Sequence, residues 1–443
     1  VTQSSTHPRP EVPPLASSAL PARRVETLPG GMTATLVSAG VVPIAAIRLV
    51  VHAGSAHVPA GQTWLDRLVH EYLREGTQSR DAEAFASALA ALGGRLDIDG
   101  DAHTTTISTE VPSEHAPAAV TLLAELARTP RFPAGSAKRL LEDLERTLDI
   151  AGSQPQWLAH AGFRQALYGD HPYGRVLPTA EDLAALNVDR ARAFWSERAG
   201  LASTRLMAAG LFDEDAVLQA ARAGFEGWSE GAAASVPPSE VETARVIRIV
   251  DRPGAEQTTL QIGRRVPAPG HDDYVAFEVL NALLGGSFYS RITLNIREDK
   301  GYTYSPRSSV SSRPGDAYWV QAADVTTAVT GASLREILGE IDRLRAEPPS
   351  EAELAGILNY VAGAFVIRQA TPGGILNHLE FLDLHGLDAS YSASYVTKVR
   401  EVTPSEVQRL AQAYLDPAGM PIILVGDRSA IEAQVAEFGP VEE

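Results

Sequence analysis

The feature that most constrains this chain is a repeat at half its length. Helical pattern, β-rich run and glycine follow one another at Ala191–Arg198, Ser203–Ala209 and Gly210, and again at Val407–Tyr414, Pro421–Val425 and Gly426. The two glycines stand 216 positions apart in a chain of 443, and each is followed by an acidic residue and another helical stretch. Carried back from Leu283–Phe288, the same offset lands on Arg67–Tyr72. A chain of this length exceeds one ordinary core, and a recurring unit of this kind makes two homologous halves the economical reading.

Each half reads as α+β, an antiparallel-rich sheet packed with helices. In the first, Thr33–Ser38 and Ile44–His52 are β-rich, Thr63–Arg74 and Ala82–Leu92 have helical periodicity, and Arg95–Asp99 with Thr104–Val111 form a hairpin. Helices are expected at Glu114–Arg128, Gly135–Ile150, Trp157–Leu167, Val188–Glu197 and Glu214–Gly224, with a strand at Ser203–Ala209. In the second, Val246–Val250, Thr258–Ile262 and Ala317–Ala323 read as strands, and Tyr274–Leu284, Ser333–Ala346 and Glu351–Arg368 as helices. The Pro- and Ala-rich stretch 231–239 is the expected linker, so the domains are 23–230 and 240–443. Residues 1–22, rich in Pro, Ser and Thr, read as a flexible leader left by signal-peptide removal, or a trimmed end.

Composition narrows the function. A net charge of −17 speaks against nucleic acid or an anionic membrane as the partner, and no apolar run is long enough to span a bilayer. With no cysteine, thiolate metal sites, disulfides and cysteine nucleophiles are excluded. A cysteine-free chain with such a leader suits export to a bacterial periplasm. Gly285-Gly286 lies in no phosphate-binding pattern and reads as a helix stop that lets backbones approach.

The chemistry-bearing stretch is Arg67–Thr77. Trp64, Leu65, Leu68 and Tyr72 share one helical face, and Arg67, His70, Glu71 and Arg74 share the opposite one. By itself this is a solvated stripe. Set beside Gly93-Gly94, Asp99, Thr104–Thr106, Leu167–Arg175, Leu283–Arg291 and above all Ile296–Ser305 (Ile-Arg-Glu-Asp-Lys-Gly-Tyr-Thr-Tyr-Ser), it resembles the pitrilysin/insulinase-type zinc peptidases. The likeness is to the short two-domain subfamily that includes mitochondrial processing peptidase. It runs from about Glu26 to Ile431.

The resemblance implies an inverted zinc motif, His-x-x-Glu-His, beginning nine residues before Gly76. Arg67 occupies the first His position, His70 the catalytic Glu position and Glu71 the second His position. Asp143 falls where a third ligand is expected. All four roles are altered, so no metal is expected in this chain. An ion-pair cluster of Arg67, Glu71 and Asp143 is expected in its place. Convergence of His52, His57 and His103 on His70 is the weaker alternative, since no pair has a short helical ligand spacing. His160 and His171 read as structural.

The second half keeps Arg297 and Tyr304, which match the family's substrate-closing Arg/Tyr pair. Arg297 is expected in a last helical turn ended by Gly301, with Tyr302 and Tyr304 on one side of a following strand. The resemblance therefore implies a metal-free subunit that pairs with a homologue carrying zinc and helps hold an extended peptide. A catalytically dead scaffold and an independent hydrolase using His70 with another metal are the rival readings.

Overall fold

The computed structural model describes residues 21–232, 235–241 and 244–442, so most of the expected leader and part of the expected linker lie outside the described residues. The first sheet contains β1 (Arg23–Thr27), β2 (Thr33–Ser38), β3 (Ile44–Val51), β4 (Asp97–Gly100), β5 (Thr105–Pro112) and β6 (Thr204–Gly210). The second contains β7 (Ile247–Asp251), β8 (Gln257–Val266), β9 (Arg307–Arg313), β10 (Asp316–Thr326), β11 (Ile422–Gly426) and β12 (Val441–Glu442).

Strand order confirms the duplication. The first sheet runs β1-β2-β6-β3-β5-β4 and the second β12-β7-β11-β8-β10-β9, so five of the six strands, all but β1 and β12, repeat one topology. In both, the last of the five common strands in chain order inserts parallel to the first, β6 on β2 and β11 on β7, while the remaining common pairs are antiparallel. The halves differ at one edge, where β1 is antiparallel to β2 but β12 is parallel to β7.

Alternation within the strands explains how the halves join. In β3, Ala45, Ile47, Leu49 and Val51 face the core of their own half, while Ala46 and Val50 face outward. Against that outer face lies the helix Pro372–Leu384 of the other half, through Ile375, Leu376 and Leu379. Arg48, on the same outward face, pairs with Glu380 of that helix at 2.6 Å. The arrangement is reciprocal. Ile422 and Leu424 of β11 face their own core, while Ile423 and Val425 face the helix Pro155–Tyr168 of the first half. Gly162 brings the helix close there, where a Cβ would stand 3.1 Å from Ile423 Cγ2. Each half thus lends one helix to the other's sheet, and the strands are buried on both faces as a result.

Two expectations are corrected. The helix beginning at Tyr274 is α-helical only to Asn281; Ala282–Gly286 continues it in wide, π-type turns. Gly285 and Gly286 are the last residues of those turns, Ser287 is extended, and a Cβ on Gly285 would meet Gln321 Oε1 at 2.5 Å, so the stop and close approach read there hold. Tyr302–Tyr304 is not a strand. After Gly301 turns with φ of 66°, only a single bridge, Thr303 to Val325, links this segment to the sheet, and β9 starts at Arg307.

Candidate functional site

The helix Leu65–Leu73, the turn Asp99–His103, the helix Pro155–Tyr168 and the edge strand β9 enclose a cleft of about 850 Å³ between the halves. The helix turns Leu65, Leu68, Val69, Tyr72 and Leu73 into the first core and leaves Asp66, Arg67, His70 and Glu71 on the cleft. It starts from a strained residue: Trp64 has φ of 74°, alone among the described non-glycine residues in having positive φ. A bulky side chain in the left-handed region persists only where its surroundings hold it. Here the indole Nε1 donates to Val176 O at 3.0 Å.

The expected ion-pair cluster does not form. The Arg67 guanidinium carbon lies 4.6 Å from the Trp64 ring centroid and 5.5 Å from that of Trp157, so π faces stabilise the cation. Glu71 instead pairs with Arg74 at 3.5 Å. Asp143 pairs along its own helix, Ala137–Ser153, with Arg139 at 3.4 Å and with Arg146. That helix buries Leu140 and Leu144 and shows Leu144 and Thr147 to the cleft, which leaves Asp143 on its solvated side.

His70 is buried, and its Nε2 sits 2.9 Å from Thr105 Oγ1. The Thr105 hydroxyl donates to Ala53 O at 2.8 Å, so the imidazole must donate through Nε2–H. Burial, helped by Arg74 and Arg67, lowers its pKa to about 4, and the ring is neutral at pH 7. The ring also fills the space above Gly100, where a Cβ would stand 2.4 Å from His70 Cε1.

A zinc ion does not fit these residues. Arg67 is a cation, the Nε2 of His70 is committed as a donor, and no three His, Asp or Glu groups among the described residues could hold a metal. Nor do the other histidines converge on His70. His57 and His103 meet edge to face at 5.7 Å, and His103 Nε2 lies 2.8 Å from Tyr173 OH. His52 is engaged with Asp383 at 3.1 Å. His171 accepts from Tyr173 N at 3.2 Å, a turn-capping role.

Arg297 and Tyr304 do come together, outside the cleft. Arg297 lies in the wide-turned stretch Leu294–Asp299, and its guanidinium carbon is 4.6 Å from the Phe288 ring and 4.8 Å from the Tyr304 ring. Its Nε is 3.1 Å from Glu298 Oε1. Tyr304 is 80% exposed, and Phe288 and Tyr289 are exposed beside it. Tyr302 packs against the second core.

Sequence reasoning missed two groups on the cleft. Asp66 is buried with Oδ1 unpartnered, and burial pushes its pKa up to about 6. At the other wall, Arg164 and Arg313 flank the rings of Tyr168 and Tyr318. The Leu167–Arg175 motif carried a signal of this second group, since it supplies Tyr168 and Tyr173.

Comparison with known proteins agrees with this arrangement. Residues 35–180 match the family described as "Insulinase (Peptidase family M16)", and residues 185–361 match "Peptidase M16 inactive domain". An uncharacterised zinc protease of Mycobacterium tuberculosis is 26% identical over 370 residues, 82% of each chain. A protein named as a non-peptidase homologue from Helicobacter pylori is 21% identical over 391 residues, 87% of this chain and 90% of that one. The crystal structure of a "peptidase M16 inactive domain" from Pseudomonas fluorescens superposes with a TM-score of 0.84 at 21% identity, over 91% of this chain and 98% of the other.

Proposed function

From the premise that this chain belongs to the pitrilysin/insulinase (M16) family of peptidases and carries no His-x-x-Glu-His, we propose that it is the metal-free subunit of a two-chain peptidase. Its partner would be a homologue bearing the intact motif and the zinc, and the pair would enclose an extended peptide. The observation that carries this reading is the placement of Arg297 and Tyr304. They are held together by a cation–π contact, yet neither lines this chain's own cleft, and the phenol is open to solvent. Groups so placed can serve a second chain.

Attack on a peptide carbonyl builds negative charge on its oxygen, and donors aimed at that charge lower the barrier most where water is excluded. The Tyr304 phenol can donate one such hydrogen bond, and the Arg297 guanidinium can fix a neighbouring substrate carbonyl. The wide turns that present Arg297 are of the kind found at functional sites in other helices. A cysteine-free chain operating as an exported protein is part of the same proposal. The test is co-purification: a tagged chain expressed with a zinc-motif homologue from the same organism should retain it in a one-to-one complex.

The similarity to a named non-peptidase homologue favours a second reading, in which the chain binds or scaffolds without contributing to catalysis. Under that reading the complex forms, but Tyr304 is dispensable.

A further inference from the structure

We infer that the cleft contains an anion subsite in which Arg164 and Arg313 receive a carboxylate of an extended peptide. The inference rests on the reading of this chain as a peptide-holding subunit and names which peptides it selects.

Arg313 ends the edge strand β9 and is 5% exposed, yet its Nε and Nη1 have no hydrogen-bond partner. Arg164, on the helix Pro155–Tyr168, has an unpartnered Nε. Both line the cleft. They flank the same two rings: Arg164 lies 5.5 Å from Tyr168 and 5.7 Å from Tyr318, Arg313 5.6 Å and 4.8 Å. No carboxylate stands within ion-pair distance of either among the described residues. The acid closest in the network, Asp316, is spent, with Oδ1 accepting from Tyr168 and Oδ2 from Arg265, each at 2.8 Å. The Tyr318 phenol is hydrogen-bonded to both guanidinia, which still leaves Arg313 Nε and Nη1 and Arg164 Nε without partners and two neighbouring cations without a carboxylate; a negatively charged group has room to enter from the cleft. His160 nearby is held neutral, its pKa lowered to about 4 by burial and by Arg164 and Arg313.

The fold indicates what delivers that charge. The cleft is bordered by β4 and β9, the terminal strands of the two sheets, and an extended chain can add to such an edge. A net charge of −17 disfavours free anions at long range, which favours an anion carried on a ligand with further contacts. A peptide carboxylate, from the C-terminus or from an Asp or Glu side chain, meets both requirements. Guanidinium matches carboxylate bidentately.

The experiment uses the isolated chain, without any partner. Four fluorescently labelled ten-residue peptides are titrated by anisotropy: free C-terminus without acids, amidated without acids, amidated with one central Glu, and free C-terminus with that Glu. A carboxylate-bearing peptide should bind about tenfold or more tightly than the amidated, acid-free one, the scale of a charge-assisted hydrogen bond. The free C-terminus and the Glu arms separate the two carboxylate sources. The advantage should vanish in Arg164→Gln and Arg313→Gln and survive in part in Arg313→Lys. Both Gln variants should melt no lower than wild type, since each removes one of two like buried charges, and the carboxylate peptide should raise the melting temperature of wild type alone. Equal binding of all four peptides, or an advantage that persists in folded Gln variants, would overturn the subsite and leave the chamber reading standing. No binding of any peptide would likewise overturn the subsite, while the two-chain reading stands or falls by co-purification.

Discussion

The helix Leu65–Leu73 and the stretch Tyr274–Gly286 stand at matching places in the two halves, behind sheets of the same strand order. The first is a regular helix whose polar face points into the inter-half cleft. The second loosens into wide turns at Ala282–Gly286, and a further wide-turned stretch at Leu294–Asp299 carries Arg297. Each half thus holds an arginine against aromatic rings, but to opposite ends. Arg67, between Trp64 and Trp157, plugs the wall of the chain's own cleft. Arg297, between Phe288 and Tyr304, does not line that cleft and stands beside an exposed phenol. Duplication conserves the sheet because its central strands, β3 and β11 among them, are buried on both faces; the helix ends lie at the cleft and surface, and there the halves have parted.

The largest effect should come from breaking that asymmetry at Arg297. In a reconstituted pair with a zinc-bearing homologue, Tyr304→Phe should lower turnover by about 10²–10³, the scale of one lost oxyanion donor. Arg297→Ala should do comparable harm, while Tyr302→Phe and Arg67→Ala should be mild. Equal losses in Arg67→Ala and Arg297→Ala would erase the distinction between plug and donor.

Acid should weigh on both halves next, on the first through four histidines and on the second through two, His378 and His385, whose pKa values burial also lowers to about 4. His57, His70, His103 and His160 of the first half all have pKa values near 4, lowered chiefly by burial. The unfolded chain takes up a proton on each below about 6.5, and the folded chain refuses it until about 4. Their stabilising contribution is therefore complete above pH 6.5 and lost as pH falls toward 4, at most roughly 3 kcal/mol for His70. Denaturation at pH 7 and pH 5 should show this loss, and His70→Gln should shrink it.

The close approach that separates the two helices can be exchanged. Val69 is buried in the first core, and at the 216-residue offset stands Gly285. A side chain at 285 would meet Gln321 Oε1 at 2.5 Å and Ser308 Oγ at 2.7 Å, so Gly285→Val should cost about 1–3 kcal/mol. The smallest effect is expected at Arg67. A buried ion-pair cluster would have made its removal cost about 3–5 kcal/mol; held by two indoles, Arg67→Ala should cost about 1–2 kcal/mol. Urea melts distinguish the two figures.

The sheets and most helices were legible because alternation and helical periodicity write burial directly into the sequence. The helix Pro372–Leu384 was not read, since it opens on Pro-Gly-Gly and buries residues against the other half's sheet as well as its own neighbours. Arg297 and Tyr304 were legible as a motif, but the strand drawn around them was wrong, because Gly301 turns the chain and only Thr303 pairs. The i, i+4 spacing of Arg67 and Glu71 correctly put both on one face. It could not say that two tryptophans, one on a strained backbone and one on a different helix, would reach the guanidinium before any carboxylate. Arg164 and Arg313 were invisible for a topological reason: they meet only because the first half lends its Pro155–Tyr168 helix to the second sheet.

The central claim is that this chain completes a peptidase whose metal lies elsewhere. It is tested most directly by peptide hydrolysis measured for this chain alone, for a zinc-motif homologue alone, and for an equimolar mixture. The account predicts cleavage by the mixture well above the sum of the separate rates, and loss of that gain with Tyr304→Phe. Cleavage by this chain alone, or a mixture no faster than the homologue by itself, would contradict it.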